Sequence, residues 1–133
     1  MIMRIENKFN DIKSTLDIFP TERMKLEYFV DLGKKSQKEF PEKYKVEENF
    51  IHGCTSYAWI KLLNKDPIQI NTVSDSLIIS GILYLLEMTF NGEPKSSIDT
   101  YSGQDLIDEF GLKESITAQR LRGFAEAVRI MKQ

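Results

Sequence analysis

Two side chains capable of chemistry stand two residues apart in Ile51-His52-Gly53-Cys54-Thr55-Ser56: the chain's one histidine and its one cysteine. A single cysteine excludes an internal disulfide. One cysteine and one histidine also fall short of the ligand sets of zinc sites and iron–sulfur clusters, so no metal or cofactor is expected in this chain. What remains is the chemistry of a lone thiol. An ordinary thiol, with a pKa of about 8.5, is only a few per cent thiolate at neutral pH. No Lys or Arg lies within five residues of Cys54, so activation must come from backbone N–H groups, from His52 or from a partner. On an extended chain the Cα atoms of His52 and Cys54 would be roughly 6.6 Å apart on one side, marginal for a nucleophile–base pair. A Cys-dependent hydrolase would also need an orienting carboxylate and an oxyanion hole, and no motif supplies either. His52 reads as a surface histidine. A sulfur acceptor needs less: it attacks an activated sulfur on another protein and presents it onward, in exchange-like chemistry governed by thiolate fraction and access. A non-catalytic interaction module would not need the thiol at all.

The small and polar residues around Cys54 have turn composition, and turns lie at the surface. A free cysteine is just as often buried as a small hydrophobe, and the local sequence leaves both placements open. Gly53 suits a turn that sets Cys54 at its tip. The elements around it follow from periodicity. Ile5, Phe9, Ile12, Leu16 and Phe19 predict a helix over 5–19. Thr21 can cap a second helix carrying Met24, Tyr28, Phe29 and Leu32, with Gly33 as its stop and 34–48 as a solvated connection. Tyr57 to Leu63 and the alternating Ile68 to Thr72, joined by Asn64-Lys65-Asp66-Pro67, predict a β-hairpin. A third strand is expected around Asn49 to His52. Ser74 or Asp75 caps a helix to about Phe90 that is apolar almost all round and therefore central. Trp59 is expected in the core, and Gly81 at a close helix packing. Shorter helical segments follow at Gln104–Phe110 and after Thr117. The order predicts an α+β fold, a small antiparallel three-stranded sheet with helices on one face.

The chain of 133 residues suits a single domain, 1–133. Hydrophobic residues make up 41% and charged residues 29%, with a net charge of −2. That balance argues against a nucleic-acid binder, which would show a basic excess. The longest apolar run, Leu77 to Phe90, is too short for the roughly 20 residues of a membrane helix and is interrupted by Ser80, Gly81 and Glu87. The charged start, Met-Ile-Met-Arg-Ile-Glu-Asn-Lys, does not read as a signal peptide, so a cytoplasmic protein is expected.

Three blocks in order, with a further segment before them, carry a family resemblance over most of the chain. Glu48 to Ile60 resembles the Gly-Cys-x-Ser-x-x-Trp signature of the SufE sulfur acceptors. Ser74-Asp75-Ser76 followed by Ile79-Ser80-Gly81-Ile82-Leu83 resembles that family's second block. Thr117-Ala118-Gln119-Arg120 with Gly123-Phe124 is similar to its C-terminal block, and Tyr28 to Gly33 to its early helix. Ala58 stands where the family more often has Val, and Leu77 where it often has an acid. The resemblance implies the α+β fold shared with IscU-type scaffolds, although those scaffolds use three cysteines. It implies a persulfide carrier: Cys54 accepts sulfur from a SufS-type cysteine desulfurase, stimulates it, and delivers the sulfur to a downstream Fe–S assembly complex. The pyridoxal phosphate of that reaction belongs to the desulfurase. A different desulfurase and a thiolation pathway are the alternative, and a homodimer is left open. Arg120, in the first turn of the last helix, opposes the helix dipole, which makes it a candidate for a partner or loop contact. His52 and Asp75 are further candidates, although Asp75 is also explained as a helix cap.

Overall fold

The computed structural model describes residues 4–133. The chain runs α1 (Ile5–Ile18), α2 (Glu22–Glu39), two short 3₁₀ turns, β1 (Ala58–Lys65), β2 (Ile68–Ser74), α3 (Leu77–Phe90), α4 (Lys95–Asp99), α5 (Gly103–Glu109), a 3₁₀ turn and α6 (Ala118–Met131). The class is α+β, as the periodicity predicts. Among the described residues the sheet has two antiparallel strands rather than three. The expected third strand is a single bridge, Phe50 to Trp59, with the Ile51 N–H donating to the Ala58 carbonyl at 2.8 Å. A 3₁₀ turn at Glu47–Asn49 ends just before it, and the chain turns at His52-Gly53 just after, so too few extended residues remain to build a ladder.

Helix α3 forms the centre, with Ile79, Ile82, Leu83, Leu85, Leu86 and Phe90 all buried. Its cap is Ser76, whose hydroxyl accepts from the Ile79 N–H, not Ser74 or Asp75. Ser74 instead ends β2, its hydroxyl donating to the Tyr57 carbonyl and accepting from the Ser76 N–H. Helix α2 does not stop at Gly33. It continues to Glu39 because Gly33 lies at a helix crossing: a Cβ there would sit 2.0 Å from the Leu77 carbonyl oxygen. Gly81 answers it from α3, where a Cβ would sit 1.9 Å from the carbonyl oxygen of Phe29. The two helices meet backbone to backbone.

That close crossing serves the free edge of β2. In an antiparallel strand, alternate residues aim both backbone groups at one edge, and an open edge is an aggregation hazard. Here the N–H groups of Ile68, Ile70, Thr72 and Ser74 donate to the Glu93 carbonyl, Asn91 Oδ1, Glu87 Oε2 and Ser80 Oγ. Their carbonyls accept from the Gly92 N–H, Asn91 Nδ2, Ser36 Oγ and Gln37 Nε2. Ser36 and Ser80 lie 2.7 Å apart. Since the one hydroxyl proton of Ser36 goes to Thr72, Ser80 is the donor of that pair. The edge is thus closed by α2, α3 and the turn after α3.

Glu87 is buried, and its Oε2 also accepts from the Thr72 hydroxyl at 2.6 Å. Burial pushes its pKa up to about 7, against the lowering effect of the two Thr72 hydrogen bonds. A folded pKa above the unfolded one gives stability that is fully present below the unfolded value and lost as pH rises through about 7. The loss between pH 4.5 and pH 8 is on the order of 3 kcal/mol. Glu87→Gln keeps the acceptor and removes the charge. Its urea midpoint is expected to match wild type near pH 4.5 and to exceed it at pH 8. A pH-independent difference between the two proteins would contradict this.

Candidate functional site

Cys54 lies on the loop between the Phe50–Trp59 bridge and β1. Gly53 has φ +89°, a conformation open to glycine and strained for side-chain-bearing residues. It reverses the chain and aims Cys54 back toward the molecule. The thiol is half-buried and packs against the edge of the core. Its seat is α6. A Cβ built on Gly123 would lie 2.0 Å from Cys54 Sγ and 3.4 Å from Cys54 Cβ. The sulfur therefore occupies the space that a side chain at 123 would take. Both placements left open by the local sequence are half right: Cys54 is on a turn, and it is tucked inward.

Burial, and secondarily the Glu126 carboxylate, push the Cys54 thiol up to about 11. Glu126 stands one turn beyond Gly123 on α6. A hydrogen bond from Arg129 holds the Glu126 carboxyl below its usual range, with His52 contributing a smaller attraction. Arg129 Nε reaches both oxygens of Glu126, at 3.1 and 3.0 Å. In this position the site favours the neutral thiol.

His52 is not paired with the thiol. Its side chain is 71% exposed and its Nε2 lies 3.7 Å from Glu47 Oε1, with its ring edge-on to Phe50 at 4.9 Å. No hydrogen bond joins it to Cys54 among the described residues, so the nucleophile–base pair a hydrolase would need is not formed in this structure. Asp75 is exposed beside the loop, its N–H donating to the Tyr57 carbonyl at 3.0 Å. Arg120 is half-buried on the first turn of α6, whose cap is the Thr117 hydroxyl accepting from the Arg120 N–H. It pairs with no carboxylate among the described residues. His52 thus shares the loop of Cys54, Asp75 is tied to the far end of that loop at Tyr57, and Arg120 lies one turn before the seat on α6. No group of three His, Cys, Asp or Glu side chains among the described residues could hold a metal ion.

Trp59 is not in the core. It lies half-buried on the outer face of the hairpin, edge-on to Phe50 and Tyr57 at 5.9 and 6.2 Å, with Lys45 Nζ 5.6 Å from its ring. Phe50, Tyr57 and Trp59 with Lys45 and Val46 line a shallow cleft of about 350 Å³. Tyr57 is 65% exposed. The loop carrying the thiol therefore springs from one aromatic cluster, in which Tyr57 is exposed and Phe50 and Trp59 are half-buried.

Residues 10–133 match the profile of the SufE family, described as the Fe-S metabolism associated domain. The chain belongs to this family. A cysteine desulfuration protein SufE of Wigglesworthia glossinidia brevipalpis is 28% identical over 108 residues, covering 80% of this chain and 74% of that protein. SufE-like proteins of Rhizobium meliloti and Rhizobium etli are 29% and 27% identical, covering 79% and 80% of this chain and 78% and 74% of theirs. The SufE-type signature around Cys54 and the block containing Gly123, 69 positions apart in the sequence (123 − 54), meet at one point in the structure. Gly123 and Glu126 are the residues that sequence reasoning did not place at the site. One signal was available: a glycine inside a helix is about 1 kcal/mol less favourable than alanine, so a mid-helix glycine calls for a close neighbour. No helix of the described residues is long and apolar enough to cross a membrane.

Proposed function

We propose that this protein is a cytoplasmic persulfide carrier. Cys54 takes sulfane sulfur from a pyridoxal-phosphate-dependent SufS-type cysteine desulfurase and passes it to an Fe–S assembly complex. The observation that carries the reading is the lone thiol at the turn after Gly53, in a chain that belongs to the SufE family over nearly its whole length. The step is an exchange. The Cys54 thiolate attacks the terminal sulfur of the donor's persulfide, a new S–S bond forms, and the donor's S–S bond breaks. The donor cysteine leaves with the electron pair and takes up the proton that Cys54 gave away, so there is no net oxidation. A thiol held near 11 is only about one part in 10⁴ thiolate at pH 7. The resting thiol is accordingly protected from adventitious oxidation, and it becomes a nucleophile only when the loop leaves α6. The exposed Tyr57 ring and the half-buried Phe50 and Trp59 beside the loop offer the desulfurase something to hold while that happens.

Incubating the protein with a SufS-type desulfurase and free cysteine should add one sulfur atom per chain, detected by intact mass and removed by reductant. Peptide mapping should locate it on Cys54. The same mixture should turn over cysteine faster than the desulfurase alone. A chain that gains no sulfur under these conditions would overturn the reading.

A further inference from the structure

We infer that Gly123 and Glu126 are positioning residues that hold Cys54 at rest as the unloaded thiol and turn it out once it carries a second sulfur. The inference rests on the carrier function proposed above and adds how the chain tells its empty state from its loaded one. Two features of the seat carry it. The first is space. Sγ lies where the Gly123 side chain would be, 2.0 Å from that Cβ position, and so already fills the gap left by the glycine. On α6, Phe124 beside Gly123 in the chain and Ala127 one turn on are wholly buried. A terminal sulfur added to Sγ finds no further room on the Gly123 side and has the open side of the half-buried thiol to extend into.

The second feature is charge. A hydropersulfide is a stronger acid than its parent thiol, so the loaded side chain is an anion under conditions where the empty one is neutral. In the seat that anion would meet apolar surroundings and the Glu126 carboxylate. The charged group that acts on the thiol is Glu126 from α6; Arg129 from the same helix and, more weakly, His52 from the loop act on Glu126, and His52 itself lies 3.7 Å from Glu47. Arg129 turns its Nε toward both Glu126 oxygens. Desolvation and like charge both disfavour the anion in place. Loading therefore supplies the free-energy difference that releases the loop, and unloading restores the rest position. Loading adds one sulfur and leaves the thiol's proton with the donor, so the change in size and the change in charge arrive together.

The test uses the isolated full chain, loaded chemically with inorganic polysulfide, so that its outcome does not depend on any desulfurase. Amide hydrogen exchange over residues 51–57 and the rate of Cys54 alkylation by iodoacetamide at pH 7.5 are the readouts. Unloaded Gly123→Ala, whose methyl group takes the sulfur's place, should alkylate about tenfold faster than unloaded wild type. Glu126→Gln should alkylate about threefold faster while keeping wild-type exchange elsewhere in the chain. Loaded wild type should exchange amides of 51–57 faster than unloaded wild type, approaching the rate of Gly123→Ala. Equal exchange in loaded and unloaded wild type would overturn the inference even if Gly123→Ala failed to fold, as would wild-type alkylation in Glu126→Gln. Failure of the carrier function would show separately, as absence of desulfurase-dependent loading in a protein whose loop still responds to polysulfide.

Discussion

Cys54→Ser is expected to abolish sulfur acceptance while leaving the fold in place. Serine is slightly smaller than cysteine and its hydroxyl cannot form a persulfide, so the variant separates the chemistry from the shape. The loop keeps Gly53, the Ile51–Ala58 hydrogen bond and the aromatic flank of Phe50, Tyr57 and Trp59. The surface presented to a desulfurase is therefore nearly unchanged. The hydroxyl is half-buried and keeps access to solvent, so the stability change should stay within about 1 kcal/mol. Two measurements check this: intact mass after incubation with desulfurase and cysteine, and cysteine turnover against added protein. No sulfur adduct is expected, and stimulation should fall at least tenfold. Full stimulation by a chain that cannot take sulfur would make this protein a non-catalytic interaction module.

What was legible in the sequence was legible for local reasons. The apolar run from Leu77 to Phe90 marks a central helix in any fold, and Asn64-Lys65-Asp66-Pro67 between two apolar runs leaves little besides a hairpin. Thr21 and Thr117 sit at helix starts because a hydroxyl there satisfies an N–H with no other partner. The errors arose where a distant segment overrides local preference. Gly33 looks like a helix stop, yet the Leu77 backbone needs its missing side chain, and α2 runs through it. Trp59 has the composition of a core residue, but it alternates outward from Ala58 and Ile60, which are buried. Asn49 to His52 has strand character, but the turn that places the thiol consumes the residues a third strand would need. Cys54 could be named from composition alone. Its seat could not, because Gly123 and Glu126 reach it only through the packing of α6 beside the hairpin. Nor could the role of Glu87 be read, since only the structure sets it against the free edge of β2.

Gly81→Ala is expected to destabilise the fold by about 4 kcal/mol or more, an exceptional loss for the addition of one methyl group. The added carbon would lie 1.9 Å from the Phe29 carbonyl oxygen and 2.7 Å from its carbonyl carbon. Both are backbone atoms inside α2, so no rotamer change relieves the overlap. The helices would have to separate by roughly 1 Å or more to restore ordinary contact. Separation stretches the Ser36–Ser80 hydrogen bond, and with it the Ser36–Thr72 and Ser80–Ser74 bonds that close the edge of β2. Each is buried, and a buried polar group left unpaired costs about 1–3 kcal/mol. Alanine is intrinsically the better helix former by about 1 kcal/mol, so a net loss must come from the crossing itself. With typical domain stability at about 5–15 kcal/mol, the variant should show a sharply lowered urea midpoint or fail to fold at 37 °C. Gly33→Ala should behave alike, its overlap with Leu77 O being 2.0 Å. Gly123→Ala should not, although its overlap is equally short, because the atom it meets is a thiol at the end of a side chain on a loop. The same missing methyl group therefore has two meanings in this chain: between α2 and α3 it holds the fold together, and on α6 it holds the thiol. Urea midpoints of the three variants, measured side by side, should separate the first two from the third. A drop of less than about 1 kcal/mol in Gly81→Ala would mean that the crossing is not as close as the backbone places it.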